Sequence, residues 1–360
     1  MMKTYSPACV IRIDNTEFRQ GVSAELLSLS VTDTCDRADS FSLRICDRHE
    51  KQGRFPSGAS LKWMDSSLFD EGAEIAIELG YVNQLDFAFL GEITAVSASF
   101  PATGIPELQI RGFSHYHRLQ RKRRTKPFES SRASEIAMEV AKDLGFEARV
   151  DKTDAEHRHT LSEDETYEQI LKAKARPLGY EVVVKNKVLY FQKPRYLVSP
   201  SPDHTLEWGK DLESFNPAIA TYSMPTEVIV RASQTSGGGG KAALVGKAKA
   251  GEERVKMGEK TGSEIAKTIF GDNPVKLTEN AVTDQKEARD IALAHLESQS
   301  LDFITARATS IGNPALTARQ VVKIKGAGKR YSGNYYVTSV THTLDARGFL
   351  TSFELKRNGR

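Results

Sequence analysis

The chain has 360 residues, 39% hydrophobic and 27% charged, with 50 Lys and Arg against 47 Asp and Glu. That length has room for roughly two to four domains with ample core. The net charge of +3 is nearly balanced, which removes any global argument for nucleic acid or acidic membranes.

No secretory leader is legible behind Lys3, and no run approaches the ~20 apolar residues of a membrane helix. Cys9, Cys35 and Cys46 are too few and too irregular for a disulfide framework or a zinc site. They are expected as small buried residues, in a chain made and folded in a reducing cytoplasm.

Residues 5–115 read as short antiparallel strands: Cys9–Ile13, Leu26–Val31, Ser40–Ile45, Ile75–Leu79, Phe87–Leu90, Ile93–Ser97 and Leu108–Arg111. Most alternate apolar with polar residues, the period of a half-buried strand. Short strands at this spacing predict a β-barrel or sandwich. The first module is assigned residues 1–117.

Residues 118–200 change character. Arg132–Leu144 carries apolar residues at helical spacing, with Gly145 placed as its C-cap and a strand at Phe146–Val150. A similar unit recurs as a helix over Thr166–Leu178, Gly179 and a strand over Tyr180–Val184, and Asn186-Lys187 turns into Val188–Phe191. Both copies share Leu-Gly-aromatic-Glu, at Leu144–Glu147 and Leu178–Glu181. This predicts a small α+β domain. Pro194, Pro200 and Pro202 then mark a linker.

Strands resume at Leu212–Ser223 and Glu227–Ala232 until Ser236-Gly-Gly-Gly-Gly-Lys241 interrupts them. The Lys-, Glu- and Gly-rich stretch 241–282 is expected to be poorly packed, ahead of a helix over Asp284–Ser300. The second β-module is therefore expected to be split, as 201–235 and 301–360, around a flexible insertion at 236–300.

The end of the chain echoes its beginning. Gln320–Gly326, Gly333–His342 and Gly348–Arg357 follow the pattern of Glu74–Gly80, Gly91–Ala98 and Gly104–Arg111. The match centres on Ile93-Thr94-Ala95-Val96 against Val337-Thr338-Ser339-Val340. One chain that builds the same module twice imitates two subunits, so three chains would present six similar modules.

Chemistry-bearing motifs are sparse. His115/His117 and His157/His159 lack the further ligands a metal needs and are expected as surface or hydrogen-bonded histidines. Arg118–Lys126 holds six cations in nine residues, which leaves a nucleic-acid patch open as an alternative to a solvated or ion-paired segment. Gly237–Gly240 with Lys241 fails the P-loop spacing, since Ala242 stands where Ser or Thr is required. Glu163, Asp164 and Glu165 suit a helix N-terminus better than glycosidase chemistry. No Gly-x-Ser-x-Gly elbow occurs. No catalytic, cofactor-binding or metal residue is assigned, and a non-enzymatic protein is expected; a cell-wall-degrading enzyme associated with a spike stays as a further alternative.

Gly312-Asn-Pro-Ala-Leu316, Val321–Gly326, Gly333–His342 and Gly348-Phe349, with the helix-Leu-Gly-aromatic-Glu unit at 166–191, resemble the phage late control protein D family. Its members form the baseplate hub of contractile tails and resemble the hub part of type VI secretion spike proteins. The resemblance implies a mainly β fold with α+β insertions: two related antiparallel β-barrel hub domains and a small middle domain. It further implies a homotrimer joining a hexameric inner tube to a trimeric spike beside other baseplate proteins, with no small-molecule substrate and no catalytic residues to carry over. The chain stops at Arg360, where a fused spike would begin, so a separate spike polypeptide is expected. The expected location is a phage tail-like particle.

Overall fold

The computed structural model describes residues 6–14, 16–21, 25–47, 61–124, 128, 132–156, 164–235, 241–279 and 282–360. The first module contains β1 (Pro7–Ile13), β2 (Thr16–Gly21), β3 (Leu26–Thr34), β4 (Ser40–Cys46), β5 (Glu74–Tyr81), β6 (Gln84–Ser99) and β7 (Glu107–Ser114). Period-two alternation sends Leu29, Val31, Leu43, Ile45, Ile75, Ile77 and Ile110 into one core. The two strands expected at Phe87–Leu90 and Ile93–Ser97 are one continuous strand, β6. Gly91 does not break it. Glycine is needed there because a Cβ would lie 2.3 Å from the Phe113 carbonyl oxygen.

The middle domain follows as α1 (His117–Arg121), α2 (Ala133–Leu144), β8 (Glu147–Val150), α3 (Tyr167–Leu178), β9 (Glu181–Lys185), β10 (Val188–Gln192) and α4 (Arg195–Val198). Helix α2 ends on Gly145 at φ +69°, and α3 starts with a reciprocal capping box between Thr166 and Gln169. The three strands order as β8-β10-β9, with β9–β10 a hairpin turned by Asn186 and Lys187 at positive φ. The proline segment is not a free linker, because Tyr196 of α4 packs on Tyr336 with ring centroids 5.0 Å apart.

The remaining chain gives β11 (His204–Glu207), β12 (Leu212–Ile219), β13 (Glu227–Thr235), β14 (Lys241–Lys249), α5 (Gly262–Phe270), β15 (Pro274–Glu279), α6 (Gln285–Ser300), β16 (Ile304–Ile311), β17 (Val321–Lys325), α7 (Gly328–Tyr331), β18 (Gly333–Asp345) and β19 (Gly348–Arg357). The structure departs from two expectations. The stretch 241–282 is packed structure at its described residues: β14-β13-β15 form their own sheet under α6, with a core of Val228, Val230, Ala248, Ala288, Ala292 and Leu296. Residues 227–235 belong to this sheet as β13 and not to the second β-module. The small residues that suggested weak packing allow close approach instead, for a Cβ on Gly246 would lie 2.1 Å from the Ala288 backbone. Ser236 and the glycine run at 237–240 lie outside the described residues.

The ladders explain the sequence echo. The first module orders its strands β5-β6-β7-β4-β3, every neighbour antiparallel, and the second orders β17-β18-β19-β16-β12 in the same way. Bulges coincide. Thr94 is the extra residue between Ile93 and Ala95, and Thr338 between Val337 and Ser339. A second shift separates Leu26 from Ser28 in β3, and Leu212 from Ser214 in β12. Gly72 donates to the Ile93 carbonyl at 2.8 Å while Ile93 donates to Ala73 at 3.0 Å; Arg319 donates to Val337 at 2.8 Å and Val337 to Gln320 at 2.9 Å. Gly72 and Arg319 both hold positive φ, +92° and +72°. The copies diverge at their outer strand: β1 runs antiparallel to β5, but β11 runs parallel to β17.

The two modules share one ladder. Strand β18 pairs β17 through Gly333–Tyr336 and β3 through Ser339–Asp345, so the modules fuse into a 13-stranded sheet. Its path ends in β12 on one side and β2 on the other. Among the described residues no helix is long and apolar enough to cross a membrane.

Candidate assembly interface

The β3–β18 seam is the junction on which the rest is hung. Its register runs from Thr34–Ser339 to Ser28–Asp345, and the Thr32 and Thr341 hydroxyls meet at 3.0 Å. Asp33, only 6% exposed, anchors it. Its carboxylate accepts Lys185 Nζ at 2.6 Å and the Ala318 backbone N–H at 3.0 Å. One carboxylate thus ties the first module, the middle domain and the second module together. Burial, and then the Asp33 charge, hold the neighbouring Asp39 carboxyl above the usual carboxylate range. His342 of β18, also buried, has its Nδ1 3.0 Å from the Thr351 hydroxyl, and burial pushes its pKa down to about 4.

The β9–β10 hairpin clasps both modules. Besides Lys185 on Asp33, Lys187 pairs with Glu74 of β5 at 2.5 Å. At the other end of β9, Glu181 accepts Tyr336 Oη at 2.6 Å and Arg319 Nε at 3.2 Å, while burial raises its pKa. The Arg319 guanidinium also lies over Tyr190, 5.1 Å from the ring centroid. The duplicated Leu-Gly-aromatic-Glu motif therefore has unequal roles, since Glu147 in the first copy is exposed and Glu181 in the second is the docking residue. The sequence offered no signal for Asp33, Lys185, Arg319 or Tyr336 as partners.

His115 and His117 are buried, not surface residues. His115 Nε2 lies 3.3 Å from Glu74, and His117 Nε2 lies 3.2 Å from Glu92 while its Nδ1 meets the Ser114 carbonyl at 3.0 Å. Burial lowers the His115 pKa. Among the described residues no group of three or more His, Cys, Asp or Glu is arranged to hold a metal. His157, His159 and Glu163 lie outside the described residues. Asp164, at φ +62°, and Glu165 precede α3, as a helix N-terminus favours.

The basic segment is largely neutralised. Arg118 pairs with Glu92, Lys122 with Asp143 at 2.9 Å, Arg123 with Asp164 at 3.3 Å and Arg124 with Glu139 at 2.6 Å. Lys126 lies outside the described residues. Cys9 and Cys46 are buried, as expected, but Cys35 is half-buried. It lines an open cleft of about 610 Å³ between α3, α6 and β18 that also meets Glu181, His295 and Tyr336.

A family model described as the Alg8 N-terminal domain matches residues 7–346. No curated protein matches the chain by sequence. Its fold is that of the prophage MuSo2 43 kDa tail protein from Shewanella oneidensis, with a TM-score of 0.73 at 12% identity, covering 98% of each chain. It is equally that of a tail protein from Neisseria meningitidis MC58, with a TM-score of 0.70 at 16% identity over 98% of this chain and 97% of that one. A type VI secretion component of E. coli, c3393, itself similar to T4 tail proteins gp27 and gp5, matches with a TM-score of 0.57 at 9% identity over 97% of this chain and 77% of that one.

Proposed function

Since the chain belongs to the family described as the Alg8 N-terminal domain and folds as phage tail proteins do, we propose that it is a structural baseplate hub. In this reading it is a non-enzymatic homotrimer that adapts a hexameric inner tube to a separate trimeric spike in a contractile, tail-like particle. The observation that carries it is the repeated module, with bulges at Thr94 and Thr338 and at matching places in β3 and β12. Two such modules per chain turn threefold into approximate sixfold symmetry, the mismatch a tube-to-spike adaptor has to resolve. The seam is clasped by Lys185 on Asp33 and by Tyr336 on Glu181, contacts that suit a part that transmits force through its shape. An obligate ring of this kind typically buries about 2,000 Å² or more per interface. Sedimentation of the purified chain tests this: a trimer is expected, and a monomer that persists at high concentration would overturn it.

A further inference from the structure

The internal seam is a template whose counterpart is unmet within one chain. The strand that ends the β5-β6-β7-β4-β3 ladder of module one, β3, pairs with the far half of β18. Matching the ladders makes β12 the counterpart of β3, and residues 94–101 of β6 and its exit the counterpart of 338–345. Yet among the described residues β12 forms a ladder only with β16, at the end of the sheet, apart from one bridge of Leu212 to Trp208. Among the described residues the far half of β6 pairs only β7, since β5 takes residues 84–92. Two complementary strand edges are therefore left without a described neighbour, and β12 and β6 lie on different stretches of one sheet path.

We propose that β12 of one protomer pairs antiparallel with residues 95–101 of the next protomer, in the register of the internal seam. Ala220 then faces Ala95, Ile219 faces Val96, Ala218 faces Ser97, Pro217 faces Ala98, Asn216 faces Ser99, Phe215 faces Phe100 and Ser214 faces Pro101. This pairing rests on the hub reading for its closure at three chains, but its register rests on the ladders alone.

Three features favour a second copy of this chain as the occupant. First, neither Thr94–Pro101 nor Ser214–Thr221 contains a charge, in a chain that is 27% charged. Exposed edges normally carry charge to block pairing. Second, large apolar side chains stand exposed beside both edges, Phe100 at 65% and Tyr222 at 85%. Third, the hydrogen-bond polarity fits. Cys35 donates to the Thr338 carbonyl at 3.2 Å, so Asp33, Val31 and Leu29 present their polar groups to β18. Ala220 donates inward to Phe303 at 3.1 Å, so alternation turns Ile219, Pro217 and Phe215 outward in the same sense. Pro217 lacks one N–H of this row and keeps its carbonyl, which leaves a ladder short by a single donor.

The test is cross-linking of the full chain. Thr32 and Thr341, whose hydroxyls touch, correspond to Ala218 and Ser97, both exposed. Under mild oxidation, the Ser97→Cys/Ala218→Cys variant is expected to give disulfide-linked chains up to three, and an equimolar mixture of the two single variants to give dimers only. The unsubstituted chain and an out-of-register Ser97→Cys/Ile219→Cys variant should give neither. In parallel, Ser97→Lys/Ala218→Lys should dissociate the assembly and Ser97→Lys/Ala218→Glu should restore it. Absent cross-links and unaffected assembly in the paired-lysine variant, with a trimer in sedimentation, would overturn this pairing and leave the hub reading standing. Equal cross-linking of the out-of-register variant would overturn the register. A monomer would overturn both.

Discussion

His342 makes the seam acid-sensitive in a way that can be worked out. It is 2% exposed on β18, opposite Val31 of β3, and burial pushes its pKa down to about 4 from an ordinary value near 6.5. The facing groups are Asp33 and the Leu316 backbone, which favour the charged ring, Lys185, which opposes it, and Thr351, which bonds its Nδ1. A depressed folded pKa means the folded chain binds fewer protons than the unfolded chain. The associated stability is complete above pH 6.5 and is lost as pH falls toward 4. Between pH 7 and 5 the loss is about 2 kcal/mol, and by pH 4 roughly 3 kcal/mol, at ~1.36 kcal/mol per pKa unit. Urea denaturation of the chain and of His342→Gln, at pH 7 and pH 5, isolates the effect. The glutamine variant should lose about 2 kcal/mol less on acidification. Equal losses in both proteins would show that His342 charges freely in the folded state, and the burial argument would fail.

Other expectations follow from the same geometry. Lys185→Met strips the cation from buried Asp33 and should cost about 2–3 kcal/mol in denaturant midpoint analysis, less than a fully enclosed pair because Lys185 retains 26% side-chain exposure. Tyr336→Phe removes a donor from the Glu181 carboxyl and should cost about 1.5–3 kcal/mol in the same assay. Gly112→Ala would set a Cβ 2.0 Å from the Glu92 carbonyl oxygen, opposite the Thr94 bulge, and should lower thermal stability by about 1–3 kcal/mol.

Much of the fold was legible because alternating strands such as Ser40–Cys46 and helices with clear caps such as Tyr167–Leu178 carry their signals locally. The Ile93–Val96 and Val337–Val340 match held because those residues flank the same bulge. The glycine landmarks were less dependable: by ladder position Gly326 corresponds to Leu79 rather than Gly80, and Gly91 to Tyr335 rather than Gly333. The sheet of β13, β14 and β15 was missed because Ala and Gly in β14 read as a missing core, when they admit α6. The seam was illegible for a different reason. Asp33 and Lys185 are 152 residues apart, and Glu181 and Tyr336 are 155 apart, so no local pattern pairs them.

Electron microscopy of the purified assembly addresses the hub proposal most directly. It should show a closed ring of three chains with six similar β-modules around one axis, alternating internal and intermolecular seams. A single chain would contradict it, whereas a ring in which β12 and the far half of β6 stay unpaired would contradict the proposed pairing alone.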